Sequence, residues 1–480
     1  MKMQKRQNGI ALLVFVTLLT GAVAMVFVSG LKDGRPMRES ITNDALAEAK
    51  DALIGYAITY GDTHAGQVHG YLPCPDQAGG NPEGSAEPTC GSQDVSQLGR
   101  LPWRTLDIGP LRGSDGECLW YAVSGNYKNN PKTGLLNWDT NGQIRVYDAD
   151  GVLLTPADNQ AVAVIFSPGM ALPGQNRSGT SAPICGGNYT ASNYLDASSG
   201  YNNATVSNVA GATSDFRIGD HTLTGDRLVF ITKRDIWNAL ERRRNFLATL
   251  DAMTKKTAEC IAGYGTKNSI DGVPDPSNMS LPWPAPISLA DYSENANYDD
   301  SANLFSGRTP YRVNTSRTAS GNVIASDFLL TSGTCNAGIC TNNCPDPSGW
   351  AYLYYPWWNN WKDHLFYALS QEYRPANRST PPCGNCLSVN HAGKYAAVIV
   401  FANRKLSGQI RASSPTDPER GIVSNYLEGS NALNIANSSA SGTENYQSDV
   451  ESSTFNDILY CIREDLTVVR GNPAATPACP

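Results

Sequence analysis

The chain is poor in charge. Only 17% of its residues are Asp, Glu, Lys or Arg, and 37 basic against 44 acidic residues leave a formal charge of -7 at neutral pH. Binding to a phosphate backbone calls for a basic surface, so nucleic acid is not an expected partner. The one tight basic run, Arg242-Arg243-Arg244, reads as a solvated helix face. Histidine is scarce, confined to His64, His69, His221, His364 and His391. Also missing are a Gly-x-Ser-x-Gly elbow, a His-Glu-x-x-His helix, a Walker loop, and a Gly-x-Gly-x-x-Gly turn between strand and helix. No catalytic residues are assigned, no enzyme activity is expected, and no cofactor is required.

Apolar runs long enough to cross a bilayer are lacking except at the start. After Lys2, Lys5, Arg6 and Gln7-Asn8-Gly9, the chain is uncharged from Ile10 through Val28. At about 1.5 Å per residue that run approaches the roughly 30 Å hydrocarbon core. The basic residues before it put the N-terminus in the cytoplasm. The expectation is a single-pass inner-membrane protein with a periplasmic head that ends in a filament or at the cell surface. Two other readings of this segment stay open. Ala22-Val23-Ala24 is a small-x-small site at which an ordinary signal peptidase could release the head, and a plain uncleaved anchor would also serve.

What is present suits a folded, loop-rich chain. The sequence has 480 residues, 41% of them hydrophobic, with 44 Gly and 29 Pro, a length that calls for more than one ordinary core. Twelve cysteines, Cys74, Cys90, Cys118, Cys185, Cys260, Cys335, Cys340, Cys344, Cys383, Cys386, Cys461 and Cys479, favour disulfides formed in an oxidising compartment, with pairing unassigned. Cys383-Gly-Asn-Cys386 and the Cys335/Cys340/Cys344 group also read as zinc ligands, since closely spaced thiolates can converge on one ion.

A short basic leader ending in Gly9 and followed directly by an apolar helix resembles the signal of type IV prepilins and type II secretion pseudopilins. The resemblance implies cleavage between Gly9 and Ile10 by a prepilin peptidase, N-methylation of Ile10, and partnership with other pilin or pseudopilin subunits. Most members carry Glu at the fifth mature position, where this chain has Val14. Members that lack the carboxylate include the large tip pseudopilin and some minor pilins, so the resemblance implies a tip or initiating position.

From about residue 40 onward the chain reads twice. Gly99-Arg100-Leu101-Pro102-Trp103-Arg104 returns as Gly307-Arg308-Thr309-Pro310-Tyr311-Arg312, and Leu119-Trp120-Tyr121-Ala122 as Leu365-Phe366-Tyr367-Ala368. Ala161 to Phe166 matches Ala396 to Phe401, Ser192-Asn193-Tyr194 matches Ser424-Asn425-Tyr426, and Leu228 to Ile231 matches Ile458 to Cys461. Collinear repeats of this kind indicate a duplicated unit. Each copy opens with an amphipathic helix. Leu46, Ala49, Leu53, Tyr56, Ala57 and Tyr60 mark the first, and Phe246, Leu250, Met253, Cys260, Ile261 and Tyr264 a second that runs from about Ile236. Short apolar runs of strand length follow in each. The expected fold is α+β: an N-terminal transmembrane helix, then two tandem pilin-like heads, each an amphipathic helix plus a small antiparallel sheet with long disulfide-bearing loops. The expected divisions are a leader at 1–9, a transmembrane or filament helix at 10–30, a first head at 31–238, and a second at 239–480 without its own span.

Asp139, Asn141, Asp148 and Asp150 flank a short alternating run, and such carboxylates beside Gly turns can hold calcium. The same residues also read as ion-free hairpin turns. The repeated arginines read as loop clamps shared by both copies, because an Arg in a Pro-bound loop satisfies carbonyls that have no ladder partner. Tyr354 to Trp361 reads either as an exposed aromatic patch or as core. The function expected is that of a minor pilin or pseudopilin, acting in assembly, adhesion or substrate contact; the alternative is an exported or anchored surface binding protein outside any filament.

Overall fold

The computed structural model describes residues 34–480 apart from 199, 220–224, 268–278, 315–326, 334, 337–338, 341, 343 and 376–382. It begins with helix α1 (Gly34–Thr63). Thr42, Ala45, Leu46, Ala49, Leu53, Ala57 and Tyr60 are buried along it, at the three-and-four spacing that lays one helical face on a sheet. Tyr56 sits half-buried at the edge of that face. Alanines at three of these positions let the helix axis approach the strands closely.

The first sheet contains β1 (Gln97–Arg100), β2 (Trp120–Val123), β3 (Ile144–Tyr147) and β4 (Ala161–Ser167). After a small hairpin, β5 (Ala197–Ser198) and β6 (Tyr201–Asn202), it is completed by β7 (Ser214–Arg217) and β8 (Arg227–Thr232). Strand β4 is the hub. One edge pairs antiparallel with β2 at Trp120↔Phe166 and with β3 at Ile144↔Ala161, and the other with β8 at Phe166↔Leu228. Strand β1 extends the sheet beside β2, and β7 joins β3 in parallel at Val146↔Phe216.

Helices α2 (Lys233–Glu241) and α3 (Arg244–Lys267) follow. Thr232 and Asp235 form a capping box at the exit from β8, which starts α2 at a gain of about 1 kcal/mol. The helix expected to run unbroken from about Ile236 is therefore two helices, and the basic run lies at their junction rather than along one face. There Arg243 is tied to Asp62 of α1, Nη2 to Oδ2, at 2.5 Å.

The second sheet repeats the circuit of the first. Its strands are β9 (Ser306–Arg308), β14 (Leu365–Leu369), β15 (Leu387–Val389), β16 (Ala392–Phe401), β17 (Asn445–Tyr446), β18 (Ile458–Arg463) and β19 (Val468–Arg470). Between β9 and β14 lie two short ladders, β10 (Arg312–Val313) with β11 (Asp327–Phe328) and β12 (Cys335–Asn336) with β13 (Ile339–Cys340), then helix α4 (Tyr355–Trp361); helix α5 (Gly429–Ile435) precedes β17. Strand β16 is the hub, paired with β14 at Phe366↔Val400, β15 at Leu387↔Tyr395 and β18 at Val400↔Leu459. Strand β9 joins β14 at Phe366↔Arg308, and β17 joins β15 in parallel at Val389↔Tyr446. The repeated glycines explain themselves here. A Cβ on Gly99 would come 2.6 Å from Asp76 O, and one on Gly307 2.0 Å from Ala285 O, so neither strand tolerates a side chain at that point.

Both hub strands are buried on two sides. Loops, joined in the second half by Ala432 and Ile435 of α5, cover one side, while the helix-facing residues Ala163 and Ile165 of β4 and Ala397, Ile399 and Phe401 of β16 belong to one continuous core with α1, α2 and α3.

Two expectations are corrected. The transmembrane helix at 10–30, with Gly9, Ile10 and Val14, lies outside the described residues, and among the described residues no helix is long and apolar enough to cross a membrane. Helix α1 carries Arg38, Glu39, Asp44, Glu48, Lys50 and Asp51 within its first five turns, and such charges are costly in hydrocarbon. The fold is thus α+β without a described membrane span, and a single-pass inner-membrane location is not supported. The sheets are also mixed rather than small and antiparallel, because β3–β7 and β15–β17 are parallel pairs.

Candidate functional site at the junction of the halves

The aromatic run of the second half is core. Trp357, Trp358 and Trp361 are buried on α4, which the Pro356 at its start allows. Trp361 packs edge-on against Trp138 from the first half, ring centroids 4.4 Å apart, and lies 5.9 Å from Trp237 of α2 and 6.1 Å from Phe246 of α3. These rings enclose a polar cluster drawn from both halves.

The loop ahead of β3 contributes Asn137 and Asp139, and the 3-10 turn that leads into β14 contributes Lys362, Asp363 and His364. Asn137 Nδ2 donates to Asn360 O at 2.9 Å and to Asp363 Oδ1 at 3.0 Å, and Leu136 N donates to Asn360 Oδ1 at 2.8 Å. His364 Nδ1 donates to Ala402 O at 3.0 Å, which turns Nε2 toward Asp139 Oδ2 at 3.1 Å and Asp363 Oδ2 at 3.9 Å. Arg420 completes the cluster with an ion pair from Nη1 to Asp363 Oδ2. Asp363, His364 and Arg420 are fully buried and Asp139 is 4% exposed.

Charge balance keeps Asp139 and Arg420 ionised away from water. Burial pushes the Asp139 carboxyl up, but His364, Arg411 and Arg420 together outweigh it and hold the group well below the usual carboxylate range. Burial likewise works against the charge on Arg420, and Asp363 overcomes it, raising the guanidinium further. Lys362, donating to Ser293 O at 2.8 Å and Asn359 O at 3.0 Å, is pulled down to about 7 by burial despite Asp363, Glu294 and Asp291.

Asp139, Asp363 and His364 are close enough to share a metal ion. The donor set fits one poorly. Both Asp363 oxygens are engaged, by Asn137 and by Arg420, so an added cation would meet a guanidinium on its own ligand. The arrangement acts instead as a solvent-excluded ionic clasp between the two halves.

The proposed calcium residues are not brought to one point. Asp139 belongs to the clasp. Asn141 accepts Gln160 N at 2.9 Å and donates to Ala157 O at 2.6 Å. Asp148 and Asp150 lie in the turn after β3, where Asp148 Oδ1 accepts Asp150 N at 3.0 Å and Val152 N at 2.7 Å. Of the histidines, His64 stacks on Tyr60 and His69 accepts Gly61 N, while His221 lies outside the described residues.

The cysteines pair as Cys74–Cys90, Cys118–Cys185, Cys260–Cys344, Cys383–Cys386 and Cys461–Cys479. Cys335 and Cys340 face each other across the β12–β13 ladder, and their side chains lie outside the described residues.

Arg100 and Arg308 do the same work in the two copies. Arg100 Nη2 donates to Gly186 O and Asn188 O at 2.8 Å, with its guanidinium 5.6 Å from the Trp120 ring. Arg308 donates to Ile287 O at 2.9 Å, Arg420 O at 2.6 Å and Asp363 O, 4.7 Å from the Phe366 ring. Arg104 and Arg312 diverge. The first reaches Glu83 O, and the second forks onto the Asp299 carboxylate.

Asp363, His364 and Arg420 were not singled out as site residues from the sequence. The one cue is position, since Asp363-His364 immediately precedes the repeated Leu365-Phe366 run and so enters the core with it. Comparison with known proteins returns no matching family model, no matching curated protein and no matching solved structure.

Proposed function

We propose that this protein is a minor, pilin-like subunit of a type IV pilus or type II secretion filament, acting by assembly and by presenting a surface rather than by catalysis. The observation that carries this reading is α1. Its side chains are exposed from Met37 through Ile41, with Glu39 tied to Arg227 of β8 at 3.0 Å, and burial on the sheet begins at Thr42, so the first turns leave an outer face uncovered, as a helix that packs among neighbouring subunits would. The enclosed clasp supports a structural role, because a buried cluster of paired polar groups suits holding two halves together better than turning over a substrate. The disulfides fit an exported part.

The test is the mature N-terminus. Expressed with a prepilin peptidase, the full chain is expected to begin at Ile10, N-methylated, and to keep Met1 when the peptidase is absent. A start at Met25, or an intact Met1 in both cases, would overturn the filament reading and favour a binding protein outside any filament.

A further inference from the structure

The two halves share one circuit, so a place covered in one and open in the other stands out. Leu53-Ile54-Gly55-Tyr56 of α1 returns on α3 as Ile261-Ala262-Gly263-Tyr264, 208 positions on, 261 - 53. Burial keeps that register, with Thr42, Ala45 and Ala49 of α1 answered by Leu250, Met253 and Thr257 of α3.

In the first half the start of the helix is covered by its own chain. The loop between β1 and β2 crosses it, Ser114 N donating to Thr42 Oγ1 at 3.0 Å, and Gly113 lies so close that a Cβ there would come 2.1 Å from Ser167 Oγ. One turn earlier Glu39 is held by Arg227 at 3.0 Å.

In the second half that cover is missing. The connection from β9 to β14 runs instead to the junction of the halves, where Trp361 packs on Trp138. Leu247 takes the place of Glu39 and is 45% exposed, in a groove it shares with Leu250, Phe401 and Ile458. Two adjoining hollows of about 410 and 280 Å³ meet at Leu247, Asn403 and Glu451, and no described residue between β9 and β14 lines either one. The rim is charged. Arg404 reaches Glu241 at 3.4 Å and Glu451 at 3.1 Å, and Arg470 meets Asp251 at 2.9 Å.

The chain itself carries a segment that fits. Met37 and Ile41, 70% and 46% exposed, stand one turn apart on the uncovered face of α1, with Arg38 exposed beside them. Two apolar side chains so spaced match the two hollows, and Arg38 complements Glu451, which is 60% exposed and shares Arg404 with Glu241. Segment and groove lie on different halves, so the contact is head-to-tail, as subunits stacked along one axis require. We propose that the groove at Leu247 receives the first turns of α1 from a second copy of this chain, an assignment that rests on the filament reading for its choice of occupant.

The experiment is photo-crosslinking of the full chain in detergent, with p-benzoylphenylalanine in place of Leu247 in one copy and an isotopically heavy second copy without it. At about 0.1 mM, where a contact of transient size is populated, the cross-linked peptide is expected to carry Met37 to Ile41 of the heavy copy. A heavy copy with Met37→Asp and Ile41→Asp, both at exposed positions, is expected to lower that yield by about tenfold or more at unchanged Tm. No cross-link, or one that reaches only other peptides, overturns the proposal. So does an undiminished yield with the double variant; should that variant fail to fold, the identity of the wild-type peptide decides alone. The two readings fail separately. A missing cross-link in a chain that matures to Ile10 removes this contact and leaves the filament standing, whereas a chain that keeps Met1 in the presence of the peptidase removes the filament whatever the cross-link shows.

Discussion

Arg177 and Arg411 occupy the same place in the two halves and bind the same groups there. Arg177 donates to Asn193 O at 2.9 Å, Gln175 Oε1 at 3.0 Å and Tyr194 O at 3.3 Å, with its guanidinium 5.1 Å from the Tyr194 ring. Arg411 donates to Asn425 O at 2.8 Å, Gln409 Oε1 at 3.2 Å and Tyr426 O at 3.2 Å, 4.9 Å from the Tyr426 ring. Each gathers loop carbonyls that no strand satisfies.

Removing the guanidinium should therefore cost fold stability. Arg411→Met, at a buried site, is expected to lose about 3 kcal/mol by urea titration, because buried carbonyls are left without donors. Arg177→Met is expected to lose about half as much, since its side chain is 12% exposed and water can replace part of the contact. Two unchanged midpoints would show that these loops stand without their arginines.

The duplication was legible in the sequence because apolar runs and Gly-Arg-x-Pro turns survive in both copies, and strand pairing then follows from two copies of one pattern. Neither Arg177 nor Arg411 stood out, although Tyr194 and Tyr426 beside them did, since a lone Arg in a polar loop has no periodicity. The clasp was hidden for a related reason. Asp139 and His364 are 225 positions apart in sequence, 364 - 139, and only the docking of the two halves makes them neighbours. Asp139 was noticed for its Asn-Gly turn and read toward calcium, whereas its charge is balanced by His364, Arg411 and Arg420.

Asp139 should make the clasp sensitive to acid. Its folded carboxyl is held below the unfolded value near 4, so its stabilisation is present above about pH 4 and is lost as pH falls through the folded value. Asp139→Asn is expected to cost about 3–5 kcal/mol at pH 7 by removing the negative charge set against His364, Arg411 and Arg420. The same variant should flatten the fall in stability between about pH 5 and pH 2, measured as urea midpoints across that range. An undiminished acid transition in the variant would remove Asp139 from the account.

The Cys118–Cys185 bond joins residues 67 apart and pins the Ala182 loop to the start of β2. Loop-closure entropy for a span of that size predicts a stabilisation of about 4 kcal/mol. A Cys118→Ala, Cys185→Ala double variant is expected to unfold at a correspondingly lower denaturant concentration, with the wild-type protein dropping to the same midpoint under reductant if this bond dominates. Retention of the wild-type midpoint by the double variant would mean that the loop is held by its hydrogen bonds, chiefly Glu83 on Ile184 N and Cys185 N at 2.6 and 2.7 Å.

Asp226 carries a pH dependence of the opposite sign. It is buried beside Asp196, accepting Asp196 N at 2.7 Å and Asn203 Nδ2 at 3.2 Å, and burial, reinforced by the Asp196 charge, raises its carboxyl to about 7. The second half repeats the pair as Glu428 and Asp457, where burial again drives the aspartate upward. Between about pH 4 and pH 7 the folded state keeps a proton that the unfolded chain has released, so stability falls as pH rises through that window. Asp226→Asn mimics the protonated acid. It should match wild type at about pH 4 and exceed it by about 1–3 kcal/mol at pH 8, part of the full linkage being lost to relaxation around the pair. Equal stability at pH 8 would show that Asp226 is ionised in the folded protein and that Asn203 and the Asp196 amide suffice to hold its charge.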